Sequence, residues 1–224
     1  MDKNMEKLKV LIEENSYFSQ ILAELRDDEV QKDRLRFRFN LERAGTILAY
    51  EISKMLPYRE KEVTTPLGQT SMQLPSQNPV LCSILRAALP LHNGMIKIFD
   101  KADNAFVSAY RHHTAENKFE IKVEYLATPN LEDRLLILSD TMIATGQSII
   151  HSYQAVIEQT VPKEVIVCCV IASEAGIDYV RKHLPRATII AGAIDGELTA
   201  KSYIVPGLGD AGDLAFGSKD VNMD

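Results

Sequence analysis

The chain has 224 residues, 46% of them hydrophobic and 25% charged, a balance that suits a soluble globular protein with a sizeable core and, by default, one domain. Its 31 acidic residues outnumber 25 basic ones, giving a formal charge of -6. This argues against non-specific binding to a polyanion, which needs a basic surface to displace counterions, so no nucleic acid is expected and any anion must be captured locally. The three cysteines, Cys82, Cys168 and Cys169, fall inside apolar runs at no zinc-ligand or redox spacing and are expected as reduced core residues. No N-terminal signal stretch and no run long enough to span a bilayer is present, so a cytoplasmic protein without membrane contact is expected.

The first third reads as helical. Leu8, Leu11 and Ile12, then Ile21, Leu22 and Leu25, suggest short helical pieces separated by the polar stretch around Asn15 and Ser16. Phe37, Leu41, Ala44, Leu48, Ile52 and Met55 step by three or four residues along one helical stripe, and Pro57 follows where a helix should stop. From Lys61 to Pro79 the texture turns to Thr, Pro, Gly, Ser and Gln with Pro66-Leu67-Gly68 as a turn signal, which predicts a hairpin or extended excursion.

An α/β alternation then begins. Val80 to Leu85 reads as a strand, Pro90 to Phe99 as a helix, and Ala105 to Tyr110, Ile121 to Leu126 and Leu135 to Leu138 as strands, with a polar loop between the second and third of these. Ile149, Tyr153, Val156 and Ile157 form a helical stripe, Val165 to Ala172 a buried strand, Ile177, Val180 and Leu184 a helix, and Ala187 to Ile194 a last strand. Such alternation implies parallel pairing through right-handed crossovers. The stretch from Tyr203 to Gly217 carries four glycines and a proline and is neither helix nor strand for long.

The most informative segment runs from Leu135 through Asp140-Thr141-Met142-Ile143-Ala144-Thr145-Gly146-Gln147-Ser148 into an amphipathic helix. An apolar strand meets an acid, then a loop of small and hydroxyl residues. A helix start of this kind suits phosphate: it offers unpaired N–H groups and partial positive charge, Thr145 and Ser148 add hydroxyl donors, and Gly146 lets the backbone approach closely. The bland alternative makes Ser148 an N-cap and Gly146 a turn. Neither the P-loop pattern nor the dinucleotide fingerprint is present.

The loop resembles that of uracil phosphoribosyltransferases, commonly Asp-Pro-Met-Leu-Ala-Thr-Gly-Gly-Ser, which holds the 5-phosphate of the ribosyl donor. Two further segments resemble the same family: Ile84-Leu85-Arg86-Ala87-Ala88 is similar to its Ile-Leu-Arg-Ala-Gly, and Tyr110-Arg111 to its Tyr-Arg. The unbroken run Tyr203-Ile204-Val205-Pro206-Gly207-Leu208-Gly209-Asp210-Ala211-Gly212-Asp213 is nearly identical to the family's C-terminal signature. The resemblance covers most of the chain and is weakest before Asp27 and from Lys61 to Pro79.

The resemblance implies an α/β phosphoribosyltransferase of type I: a mostly parallel sheet flanked by helices in one domain over 1–224, with a helical portion at 1–58, a core at 80–195 and a base-binding hood at 196–224. It implies UMP and pyrophosphate made from uracil and 5-phosphoribosyl 1-pyrophosphate (PRPP). Arg86 and Arg111 would grip pyrophosphate. Asp140 would face the ribose, Thr141, Met142 and Ile143 would accompany it, and Ala144, Thr145, Gly146, Gln147 and Ser148 would wrap the phosphate. Ile204, Gly209 and Ala211 would contact uracil, largely through main-chain groups, with Asp210 at the junction of base and donor. Mg2+ is expected to arrive with the donor's pyrophosphate rather than in a protein cage. A homodimer or higher homo-oligomer, and GTP binding, are expected on the same ground.

Four positions depart from the family pattern: Ala88 for Gly, Thr141 for Pro, Gln147 for Gly and Leu214 for Arg or Lys. If Gln147 needs φ > 0 its side chain is strained, whereas its amide can also donate to phosphate. Thr141 adds a hydroxyl near the donor. Two rival readings accompany these departures: a same-fold transferase for another base, and a nucleotide-sensing regulator without turnover. His112 and His113 are assigned no role.

Overall fold

The apolar runs at Val80 to Leu85, Leu135 to Leu138, Val165 to Ala172 and Ala187 to Ile194 are too continuous to leave one face wet, and each is satisfied by burial between two layers of helix. The computed structural model describes residues 7–113 and 119–218, with the backbone course alone at 109–113 and 119–124. The loop predicted between the second and third strands of the core lies partly outside the described residues.

The described N-terminal part carries strand β1 (Leu8–Val10), helix α1 (Phe18–Arg26) and the long helix α2 (Arg34–Ser53), with short 3-10 turns at Leu11–Glu13 and Val30–Lys32. The Asp33 carboxylate caps α2 by accepting from the amides of Leu35 and Arg36. The predicted α2 stripe is buried from Phe37 to Ile52, while Met55 lies beyond the helix end. Leu8 is a correction: it stands in a strand, paired in parallel with Ile189, and of that predicted helical piece only Leu11–Glu13 turns, as a single 3-10 turn.

A hairpin follows, β2 (Tyr58–Thr65) with β3 (Gly68–Pro75), turning where Pro66 and Leu67 predict and exposed along nearly all its length. The core then supplies β4 (Val80–Leu85), α3 (Leu89–Met95), β5 (Asp103–His113), β6 (Phe119–Ala127), β7 (Leu135–Ile143), α4 (Gln147–Ile157), β8 (Glu164–Ser173), α5 (Glu174–His183) and β9 (Thr188–Asp195). The hood contributes β10 (Glu197–Leu198), β11 (Ile204–Val205) and α6 (Ala211–Phe216).

Seven strands make one sheet in the order β1-β9-β8-β7-β4-β5-β6, parallel except for β6, which runs antiparallel to β5. Side chains alternate across it. Leu135 and Ile137 join α1, α2, α3 and α6 on one face, and Leu136 and Leu138 join α4 and α5 on the other. Cys82, Cys168 and Cys169 are free and buried, and burial raises their thiol pKa, to about 12 for the first two.

Candidate active site

A parallel sheet delivers ligand groups at the C-terminal ends of its strands, and here that edge opens into a cleft of about 480 Å³. Arg86 and Ala87 line it from the turn after β4; Asp140, Met142 and Ile143 from the end of β7; Ala144, Thr145, Gly146 and Ser148 from the loop and helix that follow; Ile204, Gly209 and Asp210 from the hood. Thus three segments far apart in sequence meet around one space.

The phosphate loop is shorter than its sequence suggests. Strand β7 continues through Asp140 to Ile143, because Met142 and Ile143 still pair with Ile171 and Ala172 of β8, leaving Ala144 to Gly146 as the turn. Gly146 is the N-cap of α4 at φ +76, and a Cβ there would come within 2.8 Å of the Gly176 carbonyl oxygen. Gly146 therefore supplies the left-handed turn and the close approach together. Gln147 is the first helical residue, so the departure from Gly there falls on ordinary helical backbone. Ser148 sits one residue inside the helix rather than capping it, and Gln147 does not line the cleft.

Ser173 holds the loop from behind. The Ser173 hydroxyl donates to the Ala144 carbonyl and accepts from the Gly176 amide at 2.9 Å, capping α5 while gripping the loop. Asp140 accepts from the Thr141 amide at 2.7 Å. The Thr141 side chain differs from expectation: it is fully buried, does not line the cleft, and its hydroxyl donates to the Ala87 carbonyl at 2.8 Å. It joins the end of β7 to the turn that carries Arg86.

Beneath both turns, Ser83 Oγ is 2.7 Å from Ser139 Oγ and 2.8 Å from His92 Nδ1, a buried polar seam one residue before Asp140. Burial holds the His92 pKa below its ordinary 6.5, against an opposing hydrogen bond to Asn104, which leaves the imidazole neutral at pH 7.

Arg86 is half-exposed and reaches toward the hood. Its Nη2 donates to the Gly217 carbonyl at 3.2 Å and lies 3.7 Å from Asp213 Oδ1, too far for a hydrogen bond. Arg111 lies in β5 opposite Ile121, near the same sheet edge, and its side chain is outside the described residues.

The hood combines backbone turns with a few long-range ties. The Val205–Pro206 peptide is cis, Gly207 stands at φ +59, and Asp210 caps α6 by accepting from the Asp213 amide at 3.0 Å. Arg38 of α2 donates to the Ala215 carbonyl at 2.7 Å. Ala211 is buried and does not line the cleft; its neighbour Gly212 does. Lys201, Ser202 and Tyr203 line the cleft and were not anticipated. A lysine just ahead of the glycine-rich run, in an acidic chain, was the available signal for the first.

Residues 12–218 match the family described as uracil phosphoribosyltransferase. The chain belongs to the uracil phosphoribosyltransferase family. It is 47% identical over 207 residues to the uracil phosphoribosyltransferase of Porphyromonas gingivalis, covering 92% of this chain and 96% of that one. It is 40% identical to the uracil phosphoribosyltransferase of Thermococcus gammatolerans, covering 92% of each. Among solved structures, the AQ2163 protein of Aquifex aeolicus superposes with a TM-score of 0.83 at 25% identity, over 94% of this chain and 98% of that one.

In this uracil phosphoribosyltransferase family member, no group of three or more His, Cys, Asp or Glu among the described residues is placed to hold a metal ion. The cleft does present the carboxylates of Asp140 and Asp210, oxygen donors of the type a hard, hydrated cation accepts. No helix among the described residues is long and apolar enough to cross a membrane.

Proposed function

We propose that the chain transfers the phosphoribosyl group of PRPP to uracil, releasing pyrophosphate and UMP, with the cleft described above as its active site. The observation that carries this reading is the meeting of the Ala144–Gly146 turn with the Ile204–Gly209 segment across one cleft, beside Arg86. One wall offers helix N-terminal amides and hydroxyls, which suit a phosphate, and the other offers main-chain groups, which suit the imide edge of a base.

That placement supports the following roles for the residues lining the cleft, and the resemblance of Tyr110-Arg111 to the family pattern supports that of Arg111. The α4 N-terminus with Thr145 and Ser148 binds the 5-phosphate, and Asp140 accepts from the ribose hydroxyls. Arg86 and Arg111 take the negative charge that grows on pyrophosphate as the bond to ribose C1 breaks. Ile204, Gly209 and Asp210 receive uracil. Gln147, Thr141 and Ala211 act from behind this wall through backbone and packing. No covalent nucleophile is needed: positioning and preorganised charge carry the step. The carboxylates of Asp140 and Asp210 are the groups that would face the water shell of a Mg2+ ion brought by the diphosphate, and such an ion would supply positive charge against the pyrophosphate.

A homodimer or larger homo-oligomer is supported by the β2–β3 hairpin, which leaves Leu67 almost fully exposed and Tyr58 and Met72 nearly half exposed. A lone two-stranded hairpin is marginal in water, and a second copy would cover it. The expected GTP binding is assigned to no described residue.

The deciding measurement is pyrophosphate release from purified protein with Mg2+, PRPP and uracil, against no-base, cytosine, hypoxanthine, guanine and orotate controls. Uracil-dependent release is expected. Release with another base alone would change the substrate, and UMP binding without release from any base would make the protein a sensor. Arg111→Ala is expected to lower turnover without unfolding; unchanged kinetics would remove Arg111 from the site.

A further inference from the structure

The last residues of two adjacent strands carry the two walls of the cleft. Ser173, ending β8, grips the phosphate loop through the Ala144 carbonyl. Its register partner Asp195, ending β9, grips the hood. Asp195 Oδ2 accepts from the Gly207 amide at 2.9 Å, and Asp195 is itself held by both guanidinium arms of Arg26, at 2.8 and 2.9 Å. Arg26 then donates to the Gly207 carbonyl at 3.1 Å. Both flanking peptide groups of Gly207 are thus tied to one ion pair that belongs to the body of the protein.

Gly207 is a place where such a tie matters. Its φ of +59 and the 2.1 Å that would separate a Cβ from the Ile204 carbonyl oxygen mark a tight reversal between Ile204 and Gly209, the two main-chain contacts assigned to the base. Beyond the two-residue pairing of β10 with β11, no ladder fixes that reversal. The pair is nearly enclosed: Asp195 is 8% exposed and Arg26 23%. A planar guanidinium that bonds carboxylate and carbonyl together has a fork that a lysine ammonium lacks.

We infer that Arg26 and Asp195 are positioning residues for the base: they set the Ile204–Gly209 reversal at a fixed distance from the phosphate loop, which hangs from the neighbouring strand end. The inference rests on the assignment of uracil to the hood. Burial alone raises the Asp195 pKa, but the hydrogen bonds from Arg26 and Gly207 and the charge of Arg26 outweigh it and hold the group below its ordinary 3.8, so the carboxylate is ionised throughout the neutral range.

The test compares steady-state kinetics of Arg26→Lys, Asp195→Asn and Gly209→Ala with the parent, varying uracil and PRPP separately. Arg26→Lys is expected to raise KM for uracil about tenfold, the loss of roughly one charge-assisted hydrogen bond, with KM for PRPP within about twofold. Asp195→Asn, which keeps the side chain's shape but removes the charge paired with Arg26 and one of the two acceptors, should show a rise of the same kind at least as large, and carries the test alone if the lysine variant does not fold. A parallel rise in both KM values, or a drop in melting temperature with unchanged uracil KM, would overturn the positioning role. Gly209→Ala separates the two ideas: if it leaves uracil KM untouched, the base assignment itself fails, whereas a rise there without one in Arg26→Lys sinks only the positioning role.

Discussion

The two walls of the cleft are held by different means. The phosphate loop continues a central strand: β7 is paired on both sides, its residues feed both core layers, and the loop is gripped by neighbours from β8 and α5. The hood contains one two-residue strand pair and a six-residue helix, and is held by guanidinium groups of Arg26, Arg38 and Arg86 reaching from other elements. A donor carrying many charges needs fixed dipoles, whereas a base read through main-chain groups needs a segment that can admit it and close. Local opening free energy should therefore be high on one wall and low on the other. Native-state hydrogen exchange tests this directly: amides of Tyr153 and Val156 inside α4 should exchange near the rate of global unfolding and those of Leu208 to Leu214 well before it.

Substitutions sharpen the contrast. The largest effect is expected from Asp140→Asn, which keeps shape but removes charge at the cleft: turnover should fall on the order of a hundredfold with little change in melting temperature. Gly146→Ala comes next, because it forces a side chain into the left-handed region against the Gly176 carbonyl. It should cost roughly 1–3 kcal/mol of stability and raise KM for PRPP more than KM for uracil. Thr141→Val leaves the Ala87 carbonyl without its donor. A loss of about 1–3 kcal/mol, read by denaturant titration, is expected with KM for PRPP nearly constant. A large KM change instead would mean that the hydroxyl does reach the donor.

On the hood side, Arg38→Met should raise KM for uracil a few-fold while moving stability by less than about 1 kcal/mol. If it destabilises as much as Gly146→Ala, the contrast between the walls fails. The smallest effect is a pH dependence through His92. Its folded pKa lies below 6.5, so the unfolded chain takes up a proton that the folded chain refuses. Stability is full above 6.5 and declines as pH falls from there toward the folded value. Melting temperatures across that range should show the decline, and a His92→Asn variant should flatten it.

Much of this was legible in the sequence. Val80–Leu85 matches the predicted strand residue for residue, and β7, β8 and β9 are recognisable because strands buried on both faces are apolar throughout. Leu8–Val10 was not, since three residues carry no period and become a strand only through their partner Ile189–Ala191. The end of β7 was hidden because Asp140 and Thr141 look like loop, yet Met142 still pairs with Ile171. The site residues were recognisable as a set, but not their aim: that Thr141 points at Ala87 and that Arg26 meets Asp195 are facts of tertiary packing between residues far apart in the chain.

The buried cysteines have a practical consequence. A thiol whose pKa is pushed to about 12, as for Cys82 and Cys168, holds almost no thiolate at neutral pH, and no water-borne alkylating agent reaches it while the sheet is closed. All three sit in central strands, so they become reactive together when the sheet comes apart. The rate at which the native protein takes up a thiol reagent is then a clock for global opening, and the protection that PRPP or UMP gives against labelling would report ligand binding without any assay of turnover.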